Sequence, residues 1–240
     1  MRLKYTISGY IYITSEDDCH GVVDAMLATG YNEEFCIAEN FNPEFIAKLM
    51  EAGFLVMSAN ISHKENEPFY LVLPKLHLVR SALFFDKLHI KKSIRKLLKQ
   101  EAFSYELTAD TGFEQIIDRC VEKHGSDWLT PPLVDCIKKI RESSNVNVRP
   151  TCFSLYRSGK LIAGEFGVIC GKVYTSYSGF YEEDNAGTVQ IVLTTQYLQE
   201  NGFSFFDMGM PLDYKTDLGA VDITPEEFVK LFREGLFEKN

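Results

Sequence analysis

Three strand patterns in succession constrain the middle of this chain more than any other feature. They lie at 151–156, 160–169 and 172–180, and Gly159 and Gly171 mark the turns between them. Alternating or β-branched runs that are separated by short glycine turns are typical of β-hairpins. The segment therefore predicts three consecutive antiparallel strands.

A helical crossover follows the third strand. Apolar residues recur at helical spacing over 185–200, and a short apolar run follows at 203–207. A crossover of this length returns the chain beside an earlier strand, so we expect a parallel pair. Ligands bind where such strands part, at their carboxyl ends. Asp207 lies at such an end and is the first candidate for a functional residue.

The charge of the chain is unevenly distributed. The net charge is −9, but the segment 75–99 is +7 and the remainder is −16. Within this segment Ile90, Ile94 and Leu97 recur at helical spacing and leave the basic residues on the other side. This pattern indicates a local anion-binding surface, and the alternative is an ordinary solvated helix face.

The composition is ordinary for a soluble globular protein, with 45% hydrophobic and 25% charged residues in a length of 240. No apolar run could span a bilayer and the polar N-terminal segment is no signal peptide, so we expect a cytoplasmic protein without membrane contact. The six cysteines form no C-x-x-C pair and the five histidines have no metal spacing. We therefore expect reduced, buried thiols and no metal ion.

Capping signals and periodicity predict further elements. Asn42-Pro43 and Thr130-Pro131 each place a capping residue before a first-turn proline, and Asp110 is expected to cap another helix. The predicted helices outside the middle segment are 43–51, 111–123, 131–142 and 225–237. The segment 5–13 is predicted to be a strand or hairpin, 54–57 and 68–79 strand or extended segments, and 103–108 a strand. Together these patterns predict a mixed α+β fold, with a small N-terminal domain (1–85) and a larger domain (86–240).

Several short motifs occur in a fixed order between residues 36 and 232. They are Leu88-His89-Ile90-x-Lys92-Ser93, Phe113-x-x-Ile116-Ile117-x-x-Cys120, Trp128, Arg157-x-x-x-Leu161-x-x-Gly164-x-x-Gly167-Val168-x-x-Gly171, Asn185-Ala186, Gly202-Phe203, Asp207 and Leu218-Gly219-Ala220. In this order they resemble the motifs of the leucyl/phenylalanyl-tRNA–protein transferases. No single motif is decisive, and the collinear arrangement carries the resemblance.

The resemblance implies an enzyme of the acyltransferase class. The family has a GNAT-type (acyl-CoA N-acyltransferase-like) core beside a smaller N-terminal domain. Its members transfer Leu, Phe or Met from aminoacyl-tRNA to an N-terminal Lys or Arg of a protein, which marks that protein for degradation under the N-end rule. The implied partners are the acceptor end of an aminoacyl-tRNA and the N terminus of an acceptor protein, and no cofactor is expected.

The resemblance also assigns site residues. Asp207 matches the family's catalytic aspartate, where it would accept a proton from the attacking ammonium or position that ammonium by charge; the alternative is an aspartate that caps the turn before Gly209. Tyr177 and Ser178 are candidate donors to the oxyanion, although a strand tyrosine is more often packed within a sheet.

The expected substrate-binding residues are Trp128, which would stack on the terminal adenosine, the aminoacyl pocket residues Tyr174, Ile191 and Phe206, and also Phe180 and Asn185. The expected nucleic-acid-binding residues are Lys75, Arg80, Lys87, His89, Lys91, Lys92, Arg95, Lys96 and Lys99.

The chain departs from the family pattern at five places. Met208-Gly209 replaces Cys-Gln, Tyr177 replaces a glutamate, Glu165 replaces a pocket methionine, Gly187-Thr188 replaces Ser-Lys, and residues 74–77 stand where a second stacking tryptophan is expected. The sequence therefore predicts the family's fold with an altered or lost specificity.

Two other functions remain open at this point. One is a GNAT-fold N-acyltransferase with another acyl donor, and the other is a non-catalytic tRNA- or protein-binding relative with an eroded site. The acidic loop 182–184 before the crossover helix disfavours coenzyme A as a donor, because three carboxylates would repel its pyrophosphate.

Overall fold

A computed structural model describes residues 2–62, 67–100, 104–143 and 147–237. The strands are β1 (Tyr12–Ile13), β2 (Ile37–Ala38), β3 (Leu55–Asn60), β4 (Tyr70–Lys75), β5 (Arg80–Leu83), β6 (Tyr105–Ala109), β7 (Val148–Arg157), β8 (Lys160–Cys170), β9 (Val173–Tyr181), β10 (Phe205–Asp207) and β11 (Val221–Ile223). The helices are α1 (Cys19–Thr29), α2 (Pro43–Glu51), α3 (Lys92–Gln100), α4 (Phe113–His124), α5 (Pro131–Glu142), α6 (Ala186–Glu200), α7 (Asp213–Asp217) and α8 (Pro225–Phe237). The protein is a mixed α/β protein.

The smaller of two sheets is formed by the N-terminal part of the chain. Its strand order is β1-β2-β4-β3. The predicted start of α2 is confirmed, because the Asn42 side chain accepts a hydrogen bond from the Phe45 N–H at 3.1 Å and Pro43 occupies the first turn. This helix buries Phe45, Ile46 and Leu49 in the main hydrophobic core.

The larger sheet has seven strands in the order β11-β5-β10-β9-β8-β7-β6. The predicted hairpins are confirmed as the antiparallel pairs of β7 with β8 and β8 with β9. The predicted parallel pair is also confirmed, because α6 returns the chain so that Phe206 lies opposite Tyr174. Strand β10 ends at Asp207, whereas β9 continues to Tyr181, so the two strands are paired only along the first part of β9.

The segment predicted as one extended run at 68–79 contains β4, which pairs with β3 in the smaller sheet. Strand β5 begins at Arg80, directly after this run, and was not predicted; it crosses to the larger sheet and lies between β10 and β11. The pairing of β5 with β10 is antiparallel, with Ala82 opposite Asp207. The crossing matters for the site because it carries Arg80 to the end of β10.

The structure corrects several details in the N-terminal half. Helix α1 follows the acidic residues 16–18 and was not predicted; its Cys19, Val22, Val23 and Met26 are buried at helical spacing. The segment 5–13, predicted as a strand or hairpin, forms a small antiparallel turn in which Tyr5 pairs with Ile11, and only Tyr12 and Ile13 form a named strand. The strand predicted at 103–108 corresponds to β6, although residue 103 lies outside the described residues.

Two helix caps differ from the prediction. Helix α4 begins after Gly112, which has φ +73°, and Asp110 instead accepts hydrogen bonds from Arg141 and Thr151. Helix α5 begins at Pro131 as expected, but the Thr130 hydroxyl pairs with the Ser58 hydroxyl at 2.8 Å and does not cap the helix. In both cases a tertiary contact takes the side chain away from its local capping role.

Candidate active site

A buried ion pair lies at the carboxyl end of β10. Arg80 Nε donates to Asp207 Oδ1 at 2.9 Å and Nη2 donates to Oδ2 at 2.6 Å, and the two side chains are 1% and 0% exposed. Asp207 also accepts hydrogen bonds from the Thr175 hydroxyl at 2.8 Å and the Gly209 N–H at 3.0 Å. The guanidinium stacks on the Phe228 ring, 4.0 Å from its centroid. Each charge therefore has its compensation within the protein.

The geometry defines what Asp207 can do in this conformation. Its two oxygens together accept four hydrogen bonds and have no contact with solvent. The contact from Gly209 is the one expected of an aspartate that caps a turn, and Gly209 has φ +73°, which a side chain would strain. The carboxylate thus anchors the end of β10 and orients Arg80.

Two residues that the sequence assigned to the nucleic-acid surface lie elsewhere. Arg80 is paired inside the protein with Asp207, and Lys75 is 7% exposed, pairs with Glu34 at 2.7 Å and lies over the Phe35 ring. These assignments need correction, because positive charge along the chain does not reveal which side of a strand each residue occupies.

The other basic candidates form an exposed surface, which we call the basic face. Its members are Lys87, His89, Lys91, Lys92, Arg95, Lys96 and Lys99. Helix α3 carries the last four and is anchored by buried Ile94, which packs in a cluster with Leu155 and Val189. The Lys91 ammonium binds Asp217 at 2.5 Å, and the His89 N–H donates to the Leu218 carbonyl at 2.8 Å.

Gly219 permits the basic face to approach the segment after β10. A Cβ atom at this position would lie 2.0 Å from the Lys87 carbonyl oxygen, and φ is +94°. Only glycine fits such a contact without a backbone shift. The Leu218-Gly219-Ala220 motif therefore has a structural role in docking the basic face beside the site.

The three expected pocket residues lie in one hydrophobic cluster. Tyr174 and Phe206 are buried with ring centroids 5.3 Å apart, and Ile191 of α6 packs against the same cluster. Phe153 packs edge-on against Tyr174 at 5.1 Å, which places this group on the α6 side of the sheet. Because successive side chains of a strand alternate, Asp207 faces the opposite side, toward α8.

Tyr177, Ser178 and Phe180 lie further along β9. A register shift between Phe166 and Gly167 of β8 skips Tyr177, whose hydroxyl accepts the Val56 N–H at 3.3 Å. Burial raises the pKa of Tyr177 well above its ordinary value, so the phenol is neutral. Ser178 lies beside the Cys120 thiol and Phe180 lies under the Arg119 guanidinium, so these residues point toward α4.

The last two substrate candidates lie apart from this group. Trp128 is half-buried against the main core, and its carbonyl accepts hydrogen bonds from the Ser58 N–H at 2.9 Å and hydroxyl at 3.0 Å. Asn185 is exposed at the start of α6 with φ +66°. Their roles in substrate binding remain predictions.

Three buried ionisable residues in this part of the protein were not among the site residues assigned from the sequence. Burial lowers the pKa of Lys215 to about 8, and its ammonium donates to the carbonyls of Met208 and Met210. Burial, reinforced by the charges of Arg80 and other cations, lowers the pKa of His77 to about 2, so this imidazole is neutral. Local periodicity holds no sign that these two side chains are buried.

Glu165 is the third of these residues, and it lies in the middle of β8. Desolvation by burial raises its pKa from 4.5 to about 7, an effect that the hydroxyls of Ser176 and Thr194 and the amide of Gln190 partly oppose. Glu165 is the one carboxylate within the largely apolar strand pattern 160–169, and this is the sequence signal that could have marked it as a site residue.

The fold and the site together define a mixed α/β protein whose sheet opens between two partly paired parallel strands, with a basic helix beside the opening. Residues 82–233 match the family model described as leucyl/phenylalanyl-tRNA protein transferase. This range contains β9, α6, β10 and the basic face. The chain belongs to this family.

Individual relatives carry the same description. A leucyl/phenylalanyl-tRNA–protein transferase of Maridesulfovibrio salexigens is 32% identical over 162 residues, which cover 65% of each chain. One of Pseudomonas putida is 30% identical over 167 residues, which cover 67% of this chain and 70% of the relative. The chain thus aligns with about two thirds of the length of these relatives.

Solved structures show only a distant likeness. FemX is 10% identical with a TM-score of 0.46, covering 93% of this chain and 80% of that chain, and L-PGS from Bacillus licheniformis is 13% identical with a TM-score of 0.45, covering 100% and 90%. No helix in the described residues is both long enough and apolar enough to cross a bilayer.

Proposed function

We propose that this protein is an aminoacyltransferase that transfers an aminoacyl group from an aminoacyl-tRNA to the N-terminal amine of an acceptor protein with Lys or Arg at its N terminus. The match of residues 82–233 to the family model carries the proposal, and the shared description of the relatives supports it. The basic face supplies the positive surface that a tRNA phosphate backbone requires.

We further propose a GNAT-type core and two domains, 1–85 and 86–240, in a cytoplasmic protein. The antiparallel strands β7–β9, the crossover α6 and the parallel β9–β10 pair support the core assignment. Strand β5 belongs to the first segment but completes the larger sheet, so the two domains would be tied together at this strand.

The reaction is the aminolysis of an ester. The amine attacks the carbonyl carbon, a tetrahedral oxyanion forms, and the bond to the ribose oxygen breaks while the proton of the amine passes to that oxygen. The protein must position both reactants and stabilise the oxyanion. In this proposal Asp207 is a positioning residue that holds Arg80 and the end of β10, since its oxygens are already occupied by donors.

The surroundings of the acidic loop count against coenzyme A as the acyl donor. Glu182 pairs with Arg119 and Glu183 pairs with Arg157 at 2.5 Å, so the cations near the start of α6 are already engaged. An incoming pyrophosphate would have to displace carboxylates from this helix N terminus.

Transfer of labelled Leu, Phe and Met from charged tRNA to peptides with N-terminal Arg or Lys tests the proposal, with acetyl-CoA offered in parallel reactions. We expect transfer from charged tRNA and none from acetyl-CoA. The Asp207→Asn variant should lose this transfer, and its circular dichroism spectrum serves as the control for folding. Full activity in a folded Asp207→Asn would contradict the positioning role. Salt-sensitive tRNA binding without transfer of any of these three aminoacyl groups would favour either a different aminoacyl donor or a non-catalytic binder.

A further inference from the structure

The carboxylate of Glu165 lies in the sheet without a charge partner. The Ser176 hydroxyl donates to Oε2 at 2.9 Å, and Oε1 is buried without a hydrogen-bond partner among the described residues. Glu165 is 5% exposed, and no ion pair joins it to a cation of the described part of the chain. Lys215, the cation that acts on it, directs its ammonium to two backbone carbonyls.

Gln190 of α6 presents a second unpaired acceptor to the same region. Its Nε2 donates to the Phe153 carbonyl and to the Thr194 hydroxyl, both at 3.2 Å. The Phe153 carbonyl can only accept, so the amide orientation is defined and the oxygen of Gln190 remains an acceptor. That oxygen is also buried without a partner among the described residues.

The hydroxyl of Tyr174 is the third unpaired group. It is fully buried without a hydrogen-bond partner in the described residues, and the charge of Glu165 contributes to raising its pKa. Buried polar atoms of proteins almost always have partners, so three unpaired buried atoms on Glu165, Gln190 and Tyr174 indicate a place where a polar group can bind. The Gln190 oxygen and the ionised Glu165 carboxylate only accept, so a group that binds the ionised cluster must be a hydrogen-bond donor.

Glu165 also lies next to the opening of the sheet. Its cross-strand neighbour on β9 is Gly179, which is half-buried and contributes no side chain. Tyr174 belongs to the apolar cluster with Phe206, at the point where β10 ends and β9 continues. The carboxylate is therefore at one end of the apolar cluster that the family resemblance assigns to the aminoacyl side chain.

We propose that Glu165, Gln190 and Tyr174 form the recognition end of the donor pocket, and that they select an aminoacyl group with a cationic side chain, such as lysyl or arginyl, over leucyl and phenylalanyl. The inference rests on the proposed function. An ammonium or guanidinium supplies several N–H donors and a charge that compensates the carboxylate. A leucyl or phenylalanyl side chain in the same place would leave the carboxylate and the amide oxygen unpaired.

Binding of two hydrolysis-resistant probes separates this selectivity from catalysis. The probes are 3′-amino-3′-deoxyadenosine acylated with lysine and with phenylalanine, titrated by calorimetry into the wild type, Glu165→Met and Glu165→Gln. We expect the wild type to bind the lysyl probe at least about tenfold more tightly, and Glu165→Met to reverse the order. Glu106→Met changes an exposed glutamate of β6 and should leave the ratio unchanged.

Each outcome bears on one proposal. Equal or weaker binding of the lysyl probe by the wild type, or an unchanged ratio in a folded Glu165→Met, would overturn the donor assignment and leave a water-filled structural cluster. If Glu165→Met binds an Arg-initiated peptide more weakly than the wild type while the probe ratio is unchanged, the cation belongs to the acceptor, and the donor assignment is overturned.

The proposed function has a separate test. Transfer of leucine or phenylalanine by a wild type without lysyl preference would overturn only the donor assignment. Failure to transfer from any charged tRNA, including lysyl-tRNA and arginyl-tRNA, would overturn the proposed function, and the probe titration would still test the pocket.

Discussion

At the scale of single residues, two buried carboxylates of one sheet have opposite surroundings. Asp207 receives a bidentate guanidinium and two further donors, whereas Glu165 accepts one direct hydrogen bond, from Ser176, has Thr194 and Gln190 as weaker polar neighbours and forms no ion pair with the described residues. Burial disfavours an ionised carboxylate unless a partner compensates it, which is why the pKa of Glu165 is raised to about 7. Because its charge is uncompensated, the Glu165 carboxylate would be stabilised by a bound cation, whereas Asp207 would not.

The raised pKa predicts a pH-dependent stability that Glu165→Gln should remove. The unfolded carboxyl loses its proton near pH 4.5, whereas the folded one keeps it to about pH 7, so the free energy of unfolding falls as pH rises through this window. We expect the variant to be more stable than the wild type at pH 8, by on the order of 3 kcal/mol, and similar at pH 4. Urea unfolding of both proteins at the two pH values measures this difference, and an equal difference at both would contradict it.

At the scale of elements, the two sides of α3 differ in exposure and charge. Ile94 is buried against α6 and the sheet, while Lys92, Arg95 and Lys96 are exposed. The backbone contact between His89 and Leu218 connects the start of this helix to the segment that follows β10. A polyanion bound on the basic face would therefore lie next to the opening between β9 and β10.

Reversing two charges on α3 tests the basic face. Lys92→Glu with Arg95→Glu should weaken tRNA binding and reduce the slope of log affinity against log salt by about two. Lys48→Glu with Lys230→Glu makes the same change in net charge on α2 and α8 and serves as the matched control. Filter binding at several salt concentrations measures both slopes. Equal losses in the two double variants would mean that only net charge matters.

At the scale of the whole molecule, the Arg80–Asp207 pair joins chain segments that are 127 residues apart. Arg80 begins the strand that crosses from the N-terminal part into the larger sheet, and it packs on Phe228 of the C-terminal helix α8. The pair thus contributes to holding both ends of the chain on the sheet that carries the site. Breaking a buried pair leaves one charge uncompensated, which is costlier than removing both.

Arg80→Met should therefore lower the free energy of unfolding by about 3–5 kcal/mol. The double variant Arg80→Met with Asp207→Leu should recover part of this loss, because no uncompensated charge remains. Chemical denaturation of the two single variants and the double variant yields the coupling energy between the residues. Additive losses would show that the ion pair is not the source of the stability.

The sequence alone determined the elements whose signals are local. The hairpins 151–180, the crossover α6, the Asn42 cap and the helix 225–237 all follow from patterns that extend over a few residues, and the structure has them at nearly the expected bounds. The parallel β9–β10 pair was also predictable, because a helix between two strands allows few other connections. The position of Asp207 at the end of its strand followed from the same order of elements.

Only the tertiary structure decided what surrounds each charge. Arg80 and Lys75 count as members of a basic segment in the sequence, but strand pairing places both in the interior. Asp207 meets its guanidinium, and Glu165 lacks one, through contacts set by the register of β5, β8 and β9. Periodicity records which side of an element is apolar, whereas compensation of a buried charge depends on distances of a few ångströms between segments that are remote in sequence.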